Sequence, residues 1–133
     1  MTCALDTNVL IRYMVRDDIV QYALAERFIQ SEKSTGQPAV VTLLVALESE
    51  WVLRRSYRYS KPEIVAVFAA LLGARDVRIE NEPVLERALL LWQQRSVNFA
   101  NCLILANSLA SGCDSMLTFD KRAAKLPDCY LLN

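Results

Sequence analysis

Three acids stand where a carboxylate can do chemistry. Asp6 ends the apolar run Ala4-Leu5 and is followed by Thr7-Asn8, then by the periodic stretch Val9-Leu10-Ile11-Arg12-Tyr13-Met14-Val15. That order reads as a buried strand passing directly into a helix, with Asp6 at the strand's carboxyl end. Asp120 holds the matching place just past Ser115-Met116-Leu117-Thr118. Ligands of open α/β sheets gather at the carboxyl ends of parallel strands, so both acids are expected at one edge of a sheet. Either acid alone is also a good helix cap. Glu48 lies in a helical stretch from about Leu43 to Tyr57. Helical spacing puts it between Leu44, Trp51 and Val52, on an apolar face expected to be buried. Glu50 points elsewhere, has Arg54 one turn on, and is expected to be a solvated ion-pair residue. A carboxylate among core residues is costly unless it is paired or holds a metal. Asp6, Glu48 and Asp120 together suit a divalent cation such as Mg²⁺, which takes oxygen ligands.

The composition narrows the chemistry further. The chain has no histidine, which excludes Ser-His-Asp triads, Cys-His pairs and histidine general bases. Its four cysteines, Cys3, Cys102, Cys113 and Cys129, are scattered without a CxxC, so buried free thiols are expected rather than a zinc site. The 15 basic residues balance the 15 acidic ones, so any contact with RNA must come from local patches. The apolar fraction is 53%, yet runs such as Ile64 to Leu72 are too short to cross a bilayer. The excess apolar surface is expected to serve a dimer or another partner. No charged start followed by an apolar leader is visible, and a cytoplasmic location with no membrane association is expected.

The elements that must position these acids alternate. The length suits one domain spanning residues 1–133. After the first strand and helix, a second helix begins near Asp17-Asp18 and runs past Ile29, until Gly36-Gln37-Pro38 ends it. Ala39-Val40-Val41 reads as a strand, with Thr42 capping the helix that carries Glu48. Ser60-Lys61-Pro62-Glu63 is a capping box with proline in the first turn. Its helix is expected to stop at Gly73. Val77-Arg78-Ile79 reads as a strand, Asn81-Glu82-Pro83 opens a helix through Trp92, and Asn98 opens another that ends at Ser111-Gly112. A strand at Ser115–Thr118, a short helical turn from Phe119 to Lys125 and a last strand at Cys129–Leu131 complete the chain. Short strands alternating with helices predict an α/β fold, a parallel sheet with helices on both faces.

The motifs Leu5-Asp6-Thr7-Asn8, Glu48 ahead of Trp51-Val52-Leu53-Arg54, and Leu117-Thr118-Phe119-Asp120 resemble the PIN domain, most closely the VapC-like ribonuclease toxins of type II toxin–antitoxin pairs. The resemblance spans nearly the whole chain. It implies a three-layer α/β/α sandwich around a short central parallel sheet, Mg²⁺- or Mn²⁺-dependent cleavage of RNA to 5′-phosphate and 3′-hydroxyl ends, a homodimer, and inhibition by a small antitoxin protein. It assigns metal binding to Asp6, Glu48 and Asp120. The family's third motif, Asp-Phe-Ala-Asp, is here Asn98-Phe99-Ala100-Asn101. Asn101 matches the family's metal-binding aspartate and Asn98 a supporting acid. An amide oxygen can ligate a hard cation but carries no charge and cannot act as a base. Asn98 is at the same time a good helix cap.

The expected mechanism is metal-assisted hydrolysis of a phosphodiester, with Thr7, Asn8 and Thr118 orienting ligands or waters. Arg12, Arg16, Arg54, Arg55, Arg58, Lys121 and Arg122 are the candidates for RNA binding. The run Arg54-Arg55-Ser56-Tyr57-Arg58-Tyr59 interleaves bases with aromatics, as a stacking and phosphate-tracking surface does. Cations favourably placed at a helix C-terminus explain the same run. A PIN-like module without catalysis, binding RNA or an antitoxin, is the competing reading, motivated by the two amides. A receiver-type domain phosphorylated at Asp6 lacks the paired acids it needs beside that residue.

Overall fold

The computed structural model describes residues 2–133. Their contacts divide into two compact units, one ending at Glu80 and one beginning at Asn81.

The first unit is built on β1 (Val40–Val41). On one side Leu5 N–H donates to Val40 C=O and Val40 N–H donates to Cys3 C=O, at 2.9 and 2.8 Å, so residues 3–5 lie along it as a single parallel bridge. On the other side β2 (Arg78–Ile79) pairs with it in parallel, Val41 opposite Ile79. The expected first strand is thus reduced to one bridge, because the chain turns into α1 (Thr7–Val15) immediately after Asp6. α2 (Ile19–Ser34), α3 (Leu43–Arg55) and α4 (Lys61–Ala74) complete the unit. Their starts fall where capping residues put them. Asp18 accepts from Gln21 N–H, Thr42 from Val45 N–H, and Ser60 and Glu63 close the capping box reciprocally. The bonds from Ser60 hold the Glu63 carboxyl below its ordinary range. Leu10, Ile29, Val41, Leu53, Ile64 and Phe68 form the buried centre.

Two helix ends of this unit differ from expectation. α4 runs through Gly73 and stops at Arg75, which takes the left-handed conformation at φ 57°. Gly73 is therefore an interior helix position, and its conformational freedom is not what ends the helix. α3 ends at Arg55 rather than Tyr57, because Tyr57 leaves the helix to bring its hydroxyl to Arg12 and Asp17.

The second unit contains α5 (Glu82–Gln94), α6 (Phe99–Ala110), β3 (Met116–Thr118), a 3₁₀ turn at Ala123–Lys125, and β4 (Cys129–Leu131). β3 and β4 pair in parallel, with Leu117 opposite Tyr130. α5 and α6 pack together through Trp92 and Phe99, edge-on at 5.3 Å between ring centroids. Asn81 precedes α5 in the left-handed conformation and makes no side-chain cap, so Pro83 in the first turn is the start signal there. Among the described residues, the mixture of six helices with short parallel strands bears out the α/β class. The four cysteines form no disulfide among the described residues; Cys102 and Cys129 are buried, but Cys3 is half-buried and Cys113 exposed, against the expectation of buried thiols throughout. Among the described residues no helix is long and apolar enough to cross a membrane.

Candidate functional site

Asp6 is exposed at the start of α1, and its Oδ1 accepts from the N–H of Thr7 at 2.8 Å. Thr7 itself is buried, and its hydroxyl has no hydrogen-bond partner among the described residues. A buried orphan hydroxyl is costly in a finished core and ordinary beside a site that takes water or ligand. Asp6, Asn8 and Arg12 line a groove of about 510 Å³ between α1 and α2, floored by Val9, Ala25 and the partly exposed Leu24 and Phe28. Glu48 is not among its lining residues.

Glu48 and Glu50 exchange the burial expected of them, not their partners. The buried stripe of α3 is Leu43, Ala46, Ser49, Glu50 and Leu53. Glu50 is only 3% exposed, and its Oε2 takes Arg54 Nε at 2.7 Å. The ion pair was legible; its burial was not, and Glu50 is not a solvated residue. Glu48 does lie with Leu44 and Trp51, but that face is the outer one. The expected core acid is instead presented to solvent, which is where a metal-binding carboxylate is accessible. Ser49, between the two acids, is fully buried, and its hydroxyl is the second orphan among the described residues.

In the second unit the structure brings the third- and fourth-motif residues together. Asn98 caps α6, its side chain accepting from Asn101 N–H at 2.8 Å. Asn101 then extends Nδ2 to within 3.5 Å of Asp120 Oδ2. The other oxygen of Asp120 accepts from Arg122 N–H and Ala123 N–H, at 2.8 and 3.3 Å, and so caps the 3₁₀ turn. Thr118 Oγ1 accepts from Asp120 N–H at 3.0 Å, a local bond that orients the acid's backbone. Asp120 is therefore both cap and candidate ligand. Groups of three or more acidic, histidine or cysteine side chains able to hold a metal are absent among the described residues. Asp6, Glu48 and Asp120 are each nonetheless an exposed hard oxygen donor of the kind that Mg²⁺ takes, and the Thr7 orphan adjoins Asp6 in the chain.

The basic candidates separate into engaged and open residues. Arg12 is engaged: Nε donates to Gln21 at 2.6 Å, and one terminal nitrogen reaches Asp17 and the Tyr57 hydroxyl. Tyr57 in turn donates to Asp17 at 2.8 Å. Proximity to Tyr57, then Asp17, raises the Arg12 pKa, and burial followed by the bond to Asp17 raises that of Tyr57. Arg54 is held by Glu50, and Arg16 lies over the Tyr22 ring at 4.8 Å. Arg55, Arg58 and Lys121 are exposed, Arg58 in the left-handed conformation at φ 57°. The expected stacking run is not presented as such, since Tyr57 and Tyr59 are half-buried and meet edge-on at 6.2 Å. The exposed aromatic of this region is Trp51, which charge-run reasoning passed over; its place on the helix face of Glu48 was the available signal.

The PIN domain family model matches residues 3–128. The chain belongs to the PIN domain family. Among proteins of known name it is similar to the VapC ribonuclease of Aquifex aeolicus (strain VF5), 24% identical over 122 residues, covering 92% of this chain and 90% of the relative. A chain in the structure of a toxin–antitoxin complex from Klebsiella pneumoniae matches with 15% identity and a TM-score of 0.34, covering 96% of this chain and 94% of that one.

Proposed function

We propose that the protein is a VapC-like toxin ribonuclease, a metal-dependent endonuclease acting on RNA phosphodiesters, and that residues 1–133 work as one domain. The observation that carries this reading is the family match over residues 3–128, together with the exposed acids Asp6, Glu48 and Asp120. The similarity to a VapC ribonuclease supports the choice of RNA. Asp6, Glu48 and Asp120 are the carboxylates to hold Mg²⁺ or Mn²⁺. Bound there, such a cation neutralises charge on the phosphodiester and acidifies water. Asn101 offers a neutral carbonyl oxygen in place of a fourth charge and cannot act as a base. Asn98 fixes the turn that aims Asn101, and Thr118 fixes Asp120. Thr7 and Asn8 bracket the entry to α1 and orient polar groups beside Asp6. Arg55, Arg58 and Lys121 are the open cations for phosphate contact.

The partners proposed with this activity are an RNA substrate, a small antitoxin protein and a second copy of the chain, in the cytoplasm. The groove beside Asp6 supports the antitoxin: Leu24 and Phe28 give an apolar floor, and Asp6 a negative end for a basic side chain. Exposed Ile19 and Val20 at the start of α2 extend the apolar surface.

The specific observation favouring a silent binding module is the Asn101–Asp120 contact, in which an amide occupies the acid that a cation would need. A metal titration paired with RNA cleavage separates the two. Cleavage in Mg²⁺ or Mn²⁺ that EDTA abolishes, with Asn101→Asp binding Mn²⁺ about ten-fold more tightly, is the outcome expected of the nuclease. Cleavage that persists unchanged in EDTA overturns the metal mechanism. RNA binding without cleavage in any divalent metal favours the silent module.

A further inference from the structure

We infer that the outer face of α3 carries a base-stacking subsite for single-stranded RNA, with Trp51 as the platform and Arg55 as its phosphate contact. The inference rests on the ribonuclease reading and names the part of that site which grips the substrate. Leu44, Glu48, Trp51 and Arg55 follow one another at i, i+4, i+7 and i+11, so they form one stripe along the helix. All four are exposed, Leu44 by 77% and Trp51 by 52%. A tryptophan left half in water forgoes a large gain from burial. The buried stripe of α3 lies elsewhere, in Leu43, Ala46, Ser49, Glu50 and Leu53, so Trp51 stands outside the helix's buried face. The Arg55 guanidinium lies 5.9 Å from the indole centroid, at the outer limit of a cation–π contact. Half the residue's surface remains available to a second flat group.

Charge decides what that group is. Arg55 and Arg58 are exposed, and neither has an ion pair among the described residues, whereas Arg54 is tied to Glu50. A flat apolar ring beside unpaired cations suits an unstacked base followed by its phosphate. Tyr57 and Tyr59, the aromatics nearest these cations in sequence, are engaged with each other, and Tyr57 also with Arg12 and Asp17. A base on Trp51 would sit one helical turn from Glu48, so the platform would select single strands next to the reactive acid.

The test is a fluorescence titration of the full chain with a short single-stranded oligoribonucleotide in EDTA, repeated with a duplex. Trp92 is buried, so quenching by RNA should come from Trp51 and vanish in Trp51→Phe. Trp51→Ala is expected to weaken single-strand binding by about ten-fold or more, and Trp51→Phe by less. Arg55→Ala should lower affinity and reduce the salt dependence by roughly one phosphate contact. In Mg²⁺, Trp51→Ala should raise KM with little change in kcat. Unchanged single-strand affinity in Trp51→Ala overturns the subsite, as does equal preference for duplex. So does loss of a dimer with RNA affinity retained, which would make the face an interface between copies. Cleavage by both proteins with the same KM sinks the subsite and leaves the nuclease standing. Trp51-dependent binding without cleavage in any divalent metal does the reverse.

Discussion

The two faces of α3 differ in a way that hydrophobicity alone does not foretell. The inner face, Leu43, Ala46, Ser49, Glu50 and Leu53, contains a carboxylate and a hydroxyl. The outer face presents Leu44 and Trp51 to water beside Glu48. Glu50 can be inside because Arg54, one turn later, reaches back with Nε at 2.7 Å while keeping about half its own side chain exposed. The guanidinium offsets the desolvation of the acid without being buried itself. Glu48 has no such cation one turn on, since Val52 stands there. Two acids two residues apart thus have separate duties. One closes the interior, and the other stays exposed to solvent.

The largest expected effect breaks the outer side of this contrast. Glu48→Gln keeps the shape and removes the charge; RNA cleavage should fall on the order of 1,000-fold. Thermal stability should stay within about 0.5 kcal/mol of the parent, as for an exposed position. A large loss of stability would mean that Glu48 belongs to the core after all. The inner side answers to Arg54→Ala. That change strands the Glu50 carboxylate in a buried position and should destabilise the fold by about 3 kcal/mol in urea denaturation. Single-strand RNA affinity of the folded variant should change little, because Arg54 is committed inward. If Arg54→Ala instead weakens RNA binding and leaves stability intact, the two faces have been assigned the wrong way round.

The same division governs what the sequence made legible. Helix starts were readable because their caps are local: Asp18, Thr42, Ser60 and Asn98 each bond to a backbone N–H three residues on. The grouping of Glu48 with Leu44 and Trp51 was readable from helical spacing, but which side faced inward was not, because both sides carry large apolar residues. Asp6 and Asp120 were singled out through strand ends and family motifs, and Asn101 through its place in the third motif. The engagement of Arg12 was hidden. Its partners come from two stretches, Asp17 and Gln21 around the start of α2 and Tyr57 beyond α3, and a lone arginine on a helix carries no mark of them. Pairings of that kind depend on tertiary placement, which spacing along a single helix does not encode.

Asp76 extends the comparison to the smallest expected effect, since it is another acid drawn inward by its partners. It accepts from Lys33 Nζ at 2.8 Å and from the Tyr13 hydroxyl at 2.7 Å, joining α2 and α1 to the segment that precedes β2. The bond from Lys33, then that from Tyr13, holds its carboxyl below the ordinary range. Burial, then the bond to Asp76, pushes the Tyr13 hydroxyl upward. A depressed carboxyl pKa contributes stability that is present above the unfolded value, about 3.9, and is lost as pH falls through the folded one. Asp76→Asn should therefore cost on the order of 1 kcal/mol at neutral pH. The gap to the parent should close on acidification below about pH 4. Denaturation midpoints measured from pH 7 downward check this. A gap that stays constant with pH would mean that Asp76 acts through shape alone, and that its charge does not tie these helices together.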